Sequence, residues 1–330
     1  MAIVSFGEPM NDAVGLGSLN QDQIYEVEGL DIAGHSFTPG GTVIGTAEQF
    51  SSVLQAVERD GHLLQKSGGG SAANAVHSLS RMGFSTGFIG TVGNDREGDS
   101  LLRSMGKVDC SHVRRTMNTG ACVSLIAEQD RSLILLPNAN DELSLSKDDM
   151  DYANGFSIVH LSSFVSDAAL REQTGLVRSL NGDVLISFDP GEVYAKKGLD
   201  AIHQIVERCG IMFINERELR MITGQSGVAG VADLLRMGPK TVVLKMGASG
   251  STIFSGGDNH FIPAKRVKVM DKTGAGDVYA SGVLAGMLRG WSVEDCGEFA
   301  TQVAAGSVAA AGRDGYPDSK TLERFERGEL

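Results

Sequence analysis

The stretch DKTGAGD, residues 271–277, sets an aspartate at each end of a glycine turn. Gly274 and Gly276 permit backbone geometries closed to other residues, and AGDVYASGVLAGMLRG (275–290) continues in small and apolar residues of helical character. The turn therefore stands at a helix N-terminus. There, unpaired amides and the helix dipole favour an anion, and the missing side chains let a phosphate approach the backbone. Asp277 falls in the first helical turn, where it could simply cap the helix. The other reading is a base. A carboxylate beside a bound phosphate repels it, so a purely structural role has a cost, whereas the base for an attacking hydroxyl must stand there. An aspartate of ordinary pKa, about 3.9, is ionised at neutral pH and could accept an alcohol proton as a P–O bond forms.

Two further stretches carry polar groups of the right kind. In SGGGSAANAVHSLSRMG (67–83), three glycines precede a helix with Ala72, Ala73, Val76, Leu79 and Met82 on one side. Asn74, in its first turns, has an amide that can donate to and accept from a sugar hydroxyl, or it is an ordinary surface residue. Gly68, Gly70 and Ala73 also satisfy GxGxxA, the dinucleotide fingerprint. However, HLLQKS is a poor buried strand and no acidic residue ends a second strand about 20 residues on. In GSLNQDQ (17–23), Asn20 and Asp22 share one strand face and could bind a diol, or form a solvated edge.

The elements that must position these groups follow from periodicity. From about residue 84, the apolar runs FIGTV (88–92), SIVHLSS (157–163), DVLISFD (183–189), IMFIN (211–215) and TVVLKM (241–246) alternate with helical patterns such as 167–180 and 198–210. Strand and helix in alternation imply right-handed crossovers and a mostly parallel sheet covered on both faces, an α/β fold. Residues 15–29 read as one strand with a polar break, and 119–138 as two strands joined by the turn EQDR. These are expected to form a small antiparallel β lid, from about 17–45 and 117–137, on a single domain spanning 1–330.

Composition narrows the function. The chain has 330 residues, 42% hydrophobic, enough for a large core. A net charge of −12 and no Lys/Arg run argue against nucleic acid or an anionic membrane as partner, so a small molecule is expected. Cys110, Cys122, Cys209 and Cys296 are scattered and read as buried thiols in a reducing compartment. The seven histidines form no metal-binding pair. MAIVSFGEPMNDAVGLG has neither a basic nor a sustained apolar region, and no span of about 18 apolar residues occurs, so a cytoplasmic location is expected. Trp291 and the methionines read as packing. Arg131 reads as a solvated turn residue that could also reach an anionic substrate.

Taken in order, GSLNQD (17–22), GGSAAN (69–74), TVGND followed by Gly98, NERE (215–218), KMGASG (245–250) and DKTGAGD (271–277) resemble the ribokinase-like, or PfkB, family of sugar and nucleoside kinases, from about residue 13 to 318. The resemblance implies a ribokinase-like α/β fold and an ATP-dependent kinase acting on a primary hydroxyl of a sugar or nucleoside. It makes Asp277 the catalytic base and the amides of Gly274, Ala275 and Gly276 the anion hole. Asn20, Asp22, Gly69, Gly70 and Asn74 match positions that bind substrate hydroxyls. Asn215 and Glu218 match an element that organises phosphate and Mg²⁺ through water. Lys245, Gly247 and Gly250 fall where the nucleotide binds, and 304–312 where the family borders the adenine. Asp271 and Thr273 match positions that in some members help hold an activating K⁺, although Lys272 departs from the commoner threonine. Lids of this family often form a dimer contact, so a homodimer through the lid is expected. The segment between Asp22 and the glycine turn looks more like that of adenosine-kinase-type members than of minimal ribokinases. Two alternatives stay open, an NAD(P)-dependent oxidoreductase built on GxGxxA and a non-catalytic ligand-binding regulator.

Overall fold

A computed structural model describes residues 11–127 and 130–330. Among them, nine strands form the larger sheet. In order they are Asp258–Ile262, Ser251–Ser255, Thr241–Lys245, Ile211–Asn215, Leu185–Asp189, Phe156–Ser162, Asn11–Leu16, Thr86–Gly93 and Val113–Thr116. From Thr241–Lys245 to Val113–Thr116 every pairing is parallel, and the two strands at the other edge are antiparallel.

The central strands bury both faces, which is why they read as unbroken apolar runs. Ile211 and Phe213 enter one core with the helices Ser71–Arg81, Ala275–Leu288 and Val293–Val308, while Met212 and Ile214 enter the opposite core with Asp167–Ser179, Leu199–Arg208 and Glu216–Thr223. The helix Ala275–Leu288 is buried from Val278 to Met287, so it has no polar face to reveal its orientation. Its small residues let a neighbour close in. A Cβ at Gly282 would lie 2.5 Å from the Ala300 Cα.

The smaller sheet runs Thr42–Ile44, Asp130–Leu136, Gly120–Ala127, Asn20–Glu26, His62–Gly69. Its outer pairing with His62–Gly69 and the Gly120–Ala127/Asp130–Leu136 hairpin are antiparallel; the other two pairings are parallel. One face packs Tyr25, Val123, Leu125 and Ile134 on Phe50, Val53 and Val57 of the helix Ala47–Asp60, which starts in a Thr46/Gln49 capping box. Alternation sends Asp22, Cys122, Arg131, Leu133 and Leu135 to the other face, over the carboxyl ends of the parallel strands.

Two details differ from the sequence reading. Residues 15–29 do not form one strand, because the polar break at 17–19 is where the chain leaves the larger sheet and enters the smaller one. HLLQKS does form a strand, but an exposed edge strand of the smaller sheet, where burial is not required. The GxGxxA match therefore lacks the parallel strand that a dinucleotide site requires. The EQDR turn has residues 128 and 129 outside the described residues, as is the N-terminal stretch 1–10.

Candidate active site

Four neighbouring parallel strands each deliver one polar side chain to the same edge. Ser162, Asp189, Asn215 and Lys245 all end their strands, and register sets Ser162 beside Asp189 and Asn215 beside Lys245. A cleft of about 450 Å³ opens between this edge and the smaller sheet. It is lined by Asn20, Asp22, Gly70, Asn74, Asn215, Glu218, Lys245, Gly247, Thr273, Gly274, Gly276 and Asp277. A second cleft, about 610 Å³, is lined by Gly250, Ala275, Tyr279, Ala304, Ala305 and Val308. The two share Lys245, Gly247, Lys272 and Gly276. Lys272 is thus an exposed residue at the junction.

The glycine turn has the geometry its sequence implies. Gly274 has φ +75°, a left-handed conformation that suits glycine, and a Cβ there would meet the Tyr316 hydroxyl at 2.6 Å. The Ala275 amide donates to the Lys272 carbonyl at a long 3.3 Å. At Gly276 a Cβ would stand 3.4 Å from Lys245 Nζ, so turn and ammonium flank one space.

Asp277 keeps a partly open face to the cleft. Burial raises its pKa, and the nearby Asp189 raises it further, while the Asn74 hydrogen bond and Lys245 oppose. Asn74 Nδ2 donates to Asp277 Oδ2 at 2.8 Å. The Asn74 amide oxygen in turn accepts from Arg313 Nε and Nη2 at 3.1 and 3.0 Å. The amide is therefore turned toward the aspartate, leaving one N–H for a hydroxyl.

On the smaller sheet, Asp22 lies against Gly69, where a Cβ would fall 2.0 Å from Asp22 Oδ2. Burial lifts Asp22 to about 7 against the pull of Arg313 and Arg131. Asn20 Oδ1 accepts from Asn140 Nδ2 at 2.7 Å, and Asn140 Oδ1 accepts from the Leu19 amide at 2.8 Å. Gly70, at φ +107°, sits where a Cβ would strike the Ser18 carbonyl at 1.9 Å.

At the strand ends, Lys245 Nζ donates to Asp189 Oδ2 at 2.6 Å. Burial works against the lysine's charge, but Asp189 and Glu218 outweigh it and hold the ammonium above the ordinary lysine range. Asn215 and Glu218 cap the helix Glu216–Thr223 reciprocally, with the Asn215 amide donating to Glu218 Oε2 at 3.0 Å. Burial, with Asp189 close by, raises Glu218 to about 7. Asp271 lies beneath the turn rather than on either cleft. Its carboxylate accepts from the Thr273 and Gly312 amides at 2.8 and 3.0 Å, and the buried Thr273 hydroxyl has no partner.

Three residues of this network escaped the sequence reading. Asp189 could have been found, because DVLISFD ends a parallel strand in a carboxylate on the side where α/β folds bind ligands. Asn140 and Arg313 carry no local signal, since each acts on a residue more than a hundred positions away. Arg131 lines the cleft rather than standing in solvent.

An uncharacterized sugar kinase of Archaeoglobus fulgidus is 31% identical over 246 residues, covering 73% of this chain and 98% of the relative. A cytidine kinase of Thermococcus kodakarensis is 30% identical over 239 residues, covering 69% and 83%. The structure of Arabidopsis thaliana ribokinase complexed with ribose and ATP superposes with a TM-score of 0.77 at 24% identity, covering 96% of this chain and 99% of that one, which shows the ribokinase-like fold. The family model for pfkB family carbohydrate kinases matches residues 36–318, and the chain belongs to that family.

Proposed function

We propose that this chain transfers the terminal phosphoryl group of ATP to a primary hydroxyl of a sugar or nucleoside, with Asp277 as general base. One observation carries the reading. A carboxylate stands at a helix N-terminus beside the junction of two clefts, one ringed by polar groups able to bind hydroxyls and the other lined by alanines, valines and a tyrosine suited to a planar base.

The acceptor hydroxyl lies between Asp22, Asn20 and Asp277. Asp277 takes its proton as the oxygen bonds to phosphorus and the bond to ADP breaks. Turn amides at Gly274, Ala275 and Gly276 and the Lys245 ammonium face the charge that accumulates on the phosphoryl oxygens. Among the described residues no cluster of three or more metal-ligating side chains occurs, and the oxygen donors Glu218 and Asn215 suit Mg²⁺ held through water and phosphate. When bound, that ion neutralises phosphate charge. The Asp271–Thr273 turn, with its unpartnered hydroxyl, is where K⁺ would bind.

The smaller sheet acts as a lid that keeps water from the phosphoryl group. Val43, Ile44, Leu63 and Leu64, exposed on its two outer strands, support a homodimer through it. Free cysteines and the acidic charge fit the cytoplasm, and no helix among the described residues is long and apolar enough to cross a membrane. A nucleoside is the narrower acceptor reading, favoured by the apolar walls Leu133, Leu135, Phe164, Val165 and Val193.

The test is a coupled ADP-release screen over ribose, fructose, 2-keto-3-deoxygluconate, adenosine, inosine and cytidine. Acceptor-dependent ADP supports the reading. Ligand binding without turnover on every compound would make the chain a regulator instead.

A further inference from the structure

Arg313 is a buried cation that donates, among the described residues, only to neutral acceptors. Nε and Nη2 go to Asn74 Oδ1, Nη1 reaches the Ser104 hydroxyl at 3.5 Å and Met105 Sδ at 3.8 Å, and the Tyr316 hydroxyl is a further partner. A buried guanidinium without a hydrogen-bonded carboxylate costs stability. Room has also been made for it. A Cβ at Gly68 would stand 2.9 Å from Nη1 and 3.1 Å from Cζ, so the first glycine of the GGG run is the floor of the arginine's slot.

The nearby carboxylates of Asp22 and Asp277 offset that cost, and Asp277 lies one amide away. Two N–H groups converge on Asn74 Oδ1, which settles which end of the amide is oxygen, and the opposite end then points its N–H at Asp277. An amide polarised by a cation at its oxygen is a stronger donor at its nitrogen. We propose that Arg313 is a positioning residue for the reaction, its forked guanidinium locking the Asn74 amide so that Nδ2 holds the Asp277 carboxylate in one place and one orientation. Arg313 itself lines neither cleft. The proposal rests on Asp277 being the base.

A fork is the essential feature, because a single ammonium cannot hold the amide plane from two sides. Arg313→Met is expected to lower kcat about thirty-fold or more while the KM for ATP moves less than about two-fold. Arg313→Lys is expected to restore part of the rate, leaving a loss of about five- to ten-fold. Because Arg313 acts through Asn74, Arg313→Met in an Asn74→Ala background should cost less than about three-fold. The proposal is overturned by wild-type kcat in either arginine variant or by losses that multiply with Asn74→Ala.

A second readout does not depend on turnover or on the methionine variant folding. In the wild type, NMR should find the Asn74 side-chain amide protons inequivalent and slow to exchange, and in Arg313→Lys they should exchange at least about ten-fold faster. Unchanged amide exchange overturns the proposal. If the wild type releases no ADP with any acceptor, the kinase reading fails, and the amide measurement still decides the Arg313–Asn74 lock.

Discussion

Asn74 and Asp277 lie 203 positions apart, yet Asn74 Nδ2 donates to Asp277 Oδ2 at 2.8 Å, joining the helix after the GGG turn to the helix after the GAG turn. Each helix begins at a glycine in left-handed or related backbone geometry, Gly70 or Gly274. The contact therefore ties together the starts of the two helices.

Replacing Asp277 by Asn keeps the shape and removes the proton acceptor. General-base catalysis is worth about 10²–10⁴-fold, so kcat should fall by at least about 10²-fold with ATP affinity retained. Calorimetric titration with ATP beside ADP-release kinetics checks both. Undiminished turnover in this variant would remove Asp277 from its role. In the wild type, the raised pKa of Asp277 should shift the acid limb of kcat/KM upward from the ordinary aspartate value, with activity falling as pH drops through it.

Asp22 and Glu218 make stability depend on pH in an unusual direction. Each has a folded pKa of about 7 against ordinary values of 3.8 and 4.5. Between these limits the folded chain binds more protons than the unfolded one, so this contribution is fully present at low pH and is lost as pH rises through about 7. Asp22→Asn should therefore raise Tm more at pH 8 than at pH 5, by the equivalent of about 1–4 kcal/mol. Equal Tm changes at the two pH values would contradict this.

Gly69→Ala would put a methyl where the Asp22 carboxylate lies, within 2.0–2.3 Å of its atoms. The carboxylate must move, so the acceptor KM should rise about ten-fold or more while ATP binding is unaffected. An unaltered acceptor KM would show that Asp22 does not meet the acceptor.

Arg217 Nη1 donates to the Gly40 carbonyl at 2.9 Å, and Lys196 Nζ to the Thr42 carbonyl at 2.8 Å, fastening the loop and outermost strand of the smaller sheet to the main body. Arg217→Ala loosens that fastening. Acceptor KM should rise several-fold, and ADP release without acceptor should increase as water gains entry. Acceptor-free ATPase activity at the wild-type level would argue against a closing role.

Much of the fold was legible because both-face burial writes itself into apolar runs such as IMFIN, and the turn DKTGAGD announces a phosphate-friendly helix start. The first strand, Asn11–Leu16, was not separated from Asn20–Glu26 because only a short polar interval divides them, and sheet membership is a tertiary fact. His62–Gly69 carries no buried apolar run, because an edge strand does not need one. The cleft residues whose partners are remote, Arg313 and Asn140 above all, are invisible to any reading of local spacing.

The crossings between the two sheets have a mechanical consequence. Asn20 follows one crossing, at 17–19, and Asn74 follows another, at Gly70, so each side chain is mounted beside an axle. Asn20 thus belongs to the smaller sheet, whereas Asn74 rides on a helix packed against that of Asp277, so the seam between the two sheets runs between these two asparagines.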